Sequence, residues 1–267
     1  MKTHKNLYAP ICSFENLLLA ANQAGKGTHA AIRRLQKFMR CAKYVLKCDL
    51  RQYFPSIDLE ILKHEIRRVI ADAETLWLID TIIDGSNPQV ETNWYFPGDD
   101  LFTPFERRRG LPIGNLTSQF FANVYLNPFD HFVKETLRCR FYLRYVDDAA
   151  FLDDAPAYLQ SLLPRLQDYH NNYRLKLYWE KCQIRPVERG QRFLGQIVFP
   201  GFRLLARENV RRFARRMRRF QEKYARRETA LPEIRQSLMS WLGHAQQANT
   251  WALRRGLMRR LAVFGAG

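Results

Sequence analysis

Two aspartates stand side by side at Asp147-Asp148, between the runs Phe141-Tyr142-Leu143-Arg144-Tyr145 and Ala149-Ala150-Phe151-Leu152. Both flanks are built from aromatic and aliphatic strand formers, so the stretch predicts a β-hairpin with the acids at its tip. Adjacent carboxylates repel unless a cation lies between them, which makes the tip a candidate divalent-metal site. An ordinary Asp-Asp turn is the competing reading, because aspartate favours turns through local hydrogen bonds. A third acid weighs against it. The strand-like run Tyr44-Val45-Leu46-Lys47-Cys48 ends in Asp49-Leu50, followed by Arg51-Gln52-Tyr53-Phe54-Pro55-Ser56. Ser56 has the side chain of a helix N-cap, and Leu59, Leu62, Ile66, Val69 and Ile70 recur behind it at helical spacing. Asp49 is therefore expected at a strand end, just before a turn into a helix. A strand-end acid converging on a hairpin-tip pair is what holding two Mg²⁺ ions for phosphoryl transfer requires, with open positions left for substrate phosphates. One ion would activate an attacking hydroxyl and the other would stabilise a leaving pyrophosphate.

The elements around these acids must carry a polyanion. Lys and Arg number 43 against 26 Asp and Glu, a formal charge of +17, which points to nucleic acid. Much of that charge lies in one helical stretch containing Arg207, Arg211, Arg212, Arg215, Arg216, Arg218, Arg219, Lys223, Arg226 and Arg227. Val210, Phe213, Ala214, Met217, Phe220 and Tyr224 supply its apolar stripe at spacings of three and four. Such a helix can dock on a core while its arginines meet phosphates, giving affinity without base specificity. A basic amphipathic helix could instead lie on a membrane surface, but charge crowds the stripe too closely for that. No run of about 18 apolar residues is present, so no membrane span is expected. Five scattered cysteines without paired metal spacing fit reduced thiols in a cytosol.

The order of these segments resembles the reverse transcriptases. Asp49 with Phe54, the segment Gly110-Leu-Pro-Ile-Gly-Asn-Leu-Thr-Ser-Gln119, Tyr145-Val146-Asp147-Asp148, Lys181 and Phe193-Leu194-Gly195 follow one another as that family's palm motifs do. The form Ile113-Gly114-Asn115-Leu116-Thr117-Ser118-Gln119 resembles, more narrowly, the reverse transcriptases of diversity-generating retroelements. Most other reverse transcriptases carry Gln before that glycine and Pro after the serine. The resemblance implies that Asp49, Asp147 and Asp148 are catalytic and hold two Mg²⁺ ions (Mn²⁺ as an alternative), with the Leu50 backbone carbonyl as a further ligand. It implies that Lys181 protonates the leaving pyrophosphate, unless it is a merely solvated charge, and that Phe54 excludes a ribose 2′-hydroxyl, unless it is a core aromatic. Ile113, Gly114 and Gln119 would meet the incoming nucleotide and templating base, with Gly114 and Ser118 allowing close backbone approach. Replacing Gln by Ile at 113 removes orienting hydrogen bonds and implies misincorporation opposite template adenines. The alternative is that Ile113 and Gln119 are local packing choices. Phe193, Leu194 and Gly195 would begin the primer grip, and Arg211, Arg212, Arg215, Arg216, Arg218 and Arg219 would bind nucleic acid.

The implied fold is α+β, a right-hand polymerase palm of antiparallel sheet backed by helices, with a helical thumb and reduced or absent fingers. Residues 1–43 are expected to be a helical remnant of the fingers, with Phe14, Leu17, Leu18 and Ala21 on one face and Ile32, Leu35 and Phe38 on another. Residues 44–202 would form the palm and residues 203–267 the basic thumb, in which His244 is read as a packed or surface histidine. The stretch from Asp84 to Thr103 has no period and is expected to be an irregular loop. The fingers hairpin and its Pro-Lys-x-Arg segment are missing between the helix at 16–24 and the segment 25–29. Triphosphate cations would then come from Lys26, Arg34, Arg107-Arg108-Arg109 or a partner chain. The resemblance further implies dNTPs, a structured template RNA, an RNA/cDNA duplex, a small basic ring-forming accessory variability protein, and a cytoplasmic setting in a bacterium or phage. A defence-associated reverse transcriptase making untemplated or repetitive DNA, or a non-catalytic RNA-binding polymerase relic, are the competing functions.

Overall fold

The computed structural model describes residues 27–85 and 92–261. A four-stranded antiparallel sheet lies at its centre, in the order β2-β3-β1-β4. Its strands are β1 (Tyr44–Cys48), β2 (Phe141–Tyr145), β3 (Asp148–Asp153) and β4 (Gln183–Pro186). Alternation along them splits the core in two, because successive strand residues face opposite sides. On one face Leu46, Cys48, Tyr142, Ala149 and Phe151 pack under helices α2 (Leu59–Arg67), α4 (Leu116–Tyr125) and α5 (Pro156–Asn172). On the other, Val45, Leu143, Ala150 and Leu152 meet Ile32, Leu35, Phe38 and Met39 of α1 (Thr28–Met39). The helical face expected for Ile32, Leu35 and Phe38 is thus the buried one, whereas Phe14, Leu17, Leu18, Ala21 and the segment 16–24 lie outside the described residues.

Three very short strands, β5 (Gln191–Phe193), β6 (Gln196–Val198) and β7 (Arg203–Leu205), form a second antiparallel sheet. Gln36 of α1 and Arg40, its C-cap, fasten to the turn beyond β6 through the Phe199 and Pro200 carbonyls, at 3.1 and 2.8 Å. Helices α6 (Arg207–Ala225), α7 (Leu231–Gln246) and α8 (Trp251–Leu261) follow. Phe213 and Met217 of α6 are buried against Trp241 of α7, with the Phe213 and Trp241 rings stacked at 3.9 Å. The arginines between those positions are exposed. Tyr224 leaves the apolar stripe and is 37% exposed.

Between β1 and β2, helix α2 starts two residues later than its sequence signals imply. Residues 53–56 form a separate helical turn, in which the Ser56 hydroxyl donates back to the Gln52 carbonyl at 2.7 Å. Asp58 is the N-cap instead, accepting from the Glu60 and Ile61 amides. Helix α3 (Ala73–Asp84) follows, and residues 92–102 are irregular as expected. The fold is α+β, with antiparallel sheets backed by helices. No helix among the described residues is long and apolar enough to cross a membrane.

Candidate active site

β1 and β3 pair in antiparallel register from Tyr44↔Asp153 to Cys48↔Ala149. Continuing that register by one residue sets Asp49 opposite Asp148. Asp148 is the first residue of β3, and β2 returns into it through the two-residue tip Val146-Asp147. The structure therefore gathers Asp49, Asp147 and Asp148 at one end of two neighbouring strands. Burial pushes Asp147 up to about 6, and the charges of Asp148 and Asp49 push it the same way. A divalent cation relieves that kind of strain.

Two lysines balance the remaining charge. Lys47 contacts Asp148 at 2.8 Å and Lys181 contacts Asp49 at 2.6 Å. Lys181 comes from a one-turn 3₁₀ helix, Trp179–Lys181, that interrupts the pairing of β1 with the chain leading into β4. Its ammonium also sits 4.2 Å from the Tyr178 ring centre. The hydrogen bond to Asp49 raises the Lys181 pKa, so this side chain is a charged ammonium at neutral pH. Before that turn Leu50 bridges Leu177, flanked by bonds from the Tyr178 amide to the Asp49 carbonyl and from the Arg51 amide to the Lys176 carbonyl, both 2.9 Å. That pattern makes Leu50 and Leu177 a non-hydrogen-bonded pair, so Leu50's carbonyl points away from this neighbour while Asp49's is spent on it.

Hard carboxylate oxygens and a backbone carbonyl are the donors that Mg²⁺ accepts. Among the described residues, no group of three or more carboxylate, imidazole or thiol side chains is placed to hold a metal ion. The fit to Mg²⁺ rests on donor type, since that ion takes few carboxylates and completes its coordination with substrate phosphates and water.

The hairpin tip rests on a network that its sequence did not announce. Val146 has φ of 56°, left-handed and costly for a β-branched residue. Arg144, fully buried one strand residue before Tyr145, donates to the Val146 carbonyl at 2.8 Å and to Asp130 at 2.8 Å. The Tyr142 hydroxyl donates to the same carboxylate at 2.6 Å. Arg144 and Asp130 are positioning residues, since they hold the backbone that aims Asp147. The available signal was a charged residue on the core face of an apolar strand, sharing that face with Tyr142. Lys47, inside an equally apolar strand, was missed for the same reason.

The proposed nucleotide contacts converge through backbone pairing. The Gly110 amide donates to Ile57, the Leu111 amide to Phe54 and the Leu59 amide to Arg108, at 2.8 to 3.0 Å. These bonds tie the loop carrying Ile113 and Gly114 to the turn carrying Phe54. Phe54 is half-buried and packs edge-on against Tyr53. Ile113 is 63% exposed, which argues against a packing role. Gly114 has φ of 107°, with open space where a β-carbon would stand. Gln119 is half-buried on α4. Ser118 is buried beneath the helix, so it offers no open face for backbone approach, contrary to expectation.

Leu194 and Gly195 form the β5–β6 turn, both with positive φ. Phe193 is 1% exposed among α1 and β3 side chains, so its ring anchors this hairpin and cannot touch a primer. The Gly195 carbonyl accepts from the Ala206 amide at 3.1 Å and the Asn209 side chain at 3.0 Å, which fixes the start of α6. Arg211, Arg212, Arg215, Arg216, Arg218 and Arg219 are exposed along that helix. The Arg107-Arg108-Arg109 run is occupied elsewhere. Arg107 is buried in ion pairs with Asp58 and Asp99, Arg108 contacts Asp84 at 2.9 Å, and Arg109 bonds Asn93 and the Pro104 carbonyl. Arg34 lies over the Phe38 ring, and Lys26 lies outside the described residues.

Comparison with solved structures finds the fold in telomerase. The apo telomerase of Candida tropicalis, truncated from its C-terminal domain, matches with a TM-score of 0.52 and 14% identity, over 75% of this chain and 44% of that one. The telomerase of Candida albicans in complex with a TWJ fragment of telomeric RNA matches with a TM-score of 0.48 and 9% identity, over 79% and 41%. This chain thus spans less than half the length of the telomerase chains it matches. No curated protein matches it. The family described as reverse transcriptase (RNA-dependent DNA polymerase) matches residues 3–198, a span holding all three aspartates, Lys181 and the tip of the β5–β6 hairpin. A match over most of the chain, on a sheet that gathers those aspartates at one end, makes this protein a member of the reverse transcriptase family.

Proposed function

We propose that the chain is an RNA-directed DNA polymerase of the diversity-generating retroelement type, making adenine-mutagenic cDNA from a structured template RNA. The observation that carries the polymerase reading is the register that sets Asp49 opposite Asp148, with Asp147 pushed up to about 6 beside them. Asp49, Asp147, Asp148 and the Leu50 carbonyl would hold two Mg²⁺ ions. When bound, these would make the primer hydroxyl a better nucleophile and offset charge on the leaving pyrophosphate. Lys181, charged and beside Asp49, supplies the proton that pyrophosphate needs on departure. Lys47 orients Asp148 through their 2.8 Å ion pair. Phe54 walls the sugar side of the nucleotide, the Leu194-Gly195 turn backs the primer, and the arginines of α6 take the duplex phosphates. Residues 44–202 act as palm and 203–267 as thumb, although β7 still belongs to the second sheet and the helices begin at Arg207. The fingers question rests on residues 16–29, of which 16–26 lie outside the described residues.

Exposure of Ile113 on the loop tied to Phe54 supports the retroelement reading, since an apolar side chain turned outward there offers a base no hydrogen bond. The family's substrates and partners follow on that reading: dNTPs, a template RNA and a small basic ring-forming accessory protein. The test is primer extension on a supplied RNA with Mg²⁺, with and without that accessory protein, and sequencing of the product. Wild type should extend with errors concentrated opposite template adenines. Asp147→Asn should lose extension by about 10²–10³-fold or more, starting from the range of a single positioned electrostatic group, while keeping RNA affinity. Unchanged extension by Asp147→Asn refutes the metal assignment. Ile113→Gln should lower adenine errors, and an identical error spectrum removes the fidelity argument. Untemplated product would favour the defence-associated reading, and RNA binding without extension in either condition would favour a polymerase relic.

A further inference from the structure

Cys48 ends β1 and Cys182 immediately precedes β4. The two strands pair from Tyr44↔Pro186 to Lys47↔Gln183, and one further step of that register sets Cys48 opposite Cys182. Residues opposed across antiparallel strands share a face, with β-carbons about 4.5–5.5 Å apart. Two positions back, Leu46 and Ile184 are opposed in the same way, and all four side chains pack into one core. The register thus brings the two side chains onto one face, and both are free thiols. Cys48 is 3% exposed, whereas Cys182 is half-buried and within reach of a small molecule. Each has an active-site residue as its chain neighbour, Asp49 after Cys48 and Lys181 before Cys182, and those two are joined at 2.6 Å.

We propose that Cys48 and Cys182 form an oxidative modification site, closed to a disulfide by a peroxide-class oxidant, which distorts the neighbouring acid cluster. The Cys182 sulfur attacks one peroxide oxygen and the O–O bond breaks. The departing hydroxide takes the thiol proton and leaves as water. The Cys48 sulfur then displaces the hydroxyl from the resulting sulfenic acid, and that hydroxyl leaves with the Cys48 proton as a second water. Each sulfur gives up one electron, and the peroxide accepts both. A disulfide needs β-carbons about 3.5–4.5 Å apart, so closure draws the two chains together by roughly 1 Å relative to ordinary cross-strand spacing. The residues moved are the supports of Asp49 and Lys181. A misplacement of about 1 Å near the chemistry costs on the order of 10²-fold in rate.

The inhibition rests on the polymerase reading, whereas the cross-link does not. The test treats the full chain with hydrogen peroxide, alkylates remaining thiols, and maps non-reduced peptides by mass. Primer extension and Mn²⁺ affinity are measured on the same samples. The expected result is a Cys48–Cys182 linked peptide pair two hydrogens lighter than the thiols, extension lowered about 10²-fold, weaker Mn²⁺ binding, and recovery of all three with dithiothreitol. Cys182→Ser should extend normally and resist the oxidant. A map in which exposed Cys41 is oxidised while Cys48 and Cys182 stay unlinked overturns the proposal, as does a formed link that leaves Mn²⁺ affinity unaltered. A link that weakens Mn²⁺ binding in a protein that never extends a primer upholds the site and defeats the polymerase reading instead.

Discussion

Two of the molecule's hairpins, β2–β3 and β5–β6, turn through two-residue tips and support left-handed backbone in different ways. The β5–β6 tip, Leu194-Gly195, has positive φ at both positions, which matches the mirror-image turn that suits twisted strands. It places glycine at the second of them, where a β-carbon would meet the Asn209 side chain at 2.7 Å. The β2–β3 tip, Val146-Asp147, also needs a left-handed residue but puts a β-branched valine there. Such a conformation costs about 1–2 kcal/mol, and the Arg144–Asp130 pair beneath it supplies the restraint. Both tips set a bulky residue in left-handed backbone, Leu194 in one and Val146 in the other, but only valine is β-branched. The first tip is held by α6 and the second by a buried charge pair. Strain of this kind collects where side chains must be aimed, and it is the tip with the β-branched residue that carries the acids.

Breaking that restraint should produce the largest effect. Arg144→Met leaves Asp130 buried without its partner, and losing one member of a buried pair costs about 3–5 kcal/mol. Chemical denaturation should show that loss, and Arg144→Met with Asp130→Leu should recover a large part of it. Extension should stay impaired in the double variant, because the Val146 carbonyl still lacks its donor. Full recovery of both stability and extension would mean the pair is packing alone. A second probe is pH. His170 shares a small cavity with Arg144, Asp49 and Asp147. Its burial, with help from Arg144, lowers its pKa to about 3 from an ordinary 6.5. The folded protein therefore keeps His170 neutral where an unfolded chain protonates it, so stability falls as pH drops below about 6.5 and the loss continues to about 3. Between pH 6.5 and 5 that amounts to about 2 kcal/mol at 1.36 kcal/mol per unit. Hydrogen exchange at pH 5 should open the β2–β3 side before the β5–β6 side, and His170→Gln should flatten the acid limb. An acid limb of unchanged steepness in His170→Gln would show that another group governs it.

The same contrast explains what the sequence made legible. β1, β2 and β3 were readable because each is a five- or six-residue run of strand formers ending at an acid. The basic helix was readable because its apolar stripe keeps a strict spacing through Met217. The second sheet was not, because strands of three residues are too short to show a period of two. Ser56 and Asp58 are both good caps by type. What decided between them is the Ser56 hydroxyl turning back to Gln52, which no local pattern records. Arg144 and Asp130 lie 14 residues apart with no helical or strand relation. Their pairing is a product of tertiary packing. Phe193 looked like a contact because its motif suggested one, while its alternation with exposed Arg192 on β5 put it inward. The three acids were legible by type, and their convergence depends on the strand order that places β1 beside β3.

Paired substitutions at the two tips give the finest test, since the signs should oppose. Gly195→Ala forces a β-carbon into left-handed backbone and against Asn209, so it should destabilise by about 1–2 kcal/mol and loosen the start of α6. Val146→Gly should do the reverse at the other tip. It removes the left-handed penalty and offsets this partly through greater freedom of the unfolded chain, for a net gain of about 0–1 kcal/mol. Extension should nonetheless fall several-fold, because the freed tip no longer fixes Asp147 against Asp148 and Asp49. The informative measurement is both quantities on one preparation, by denaturant titration and single-turnover extension. A more stable and slower Val146→Gly protein would show that the valine is kept for aim at the expense of stability. A less stable one would show that Val146 contributes mainly by packing on the α2–α4 side of the sheet, where its side chain already touches the core.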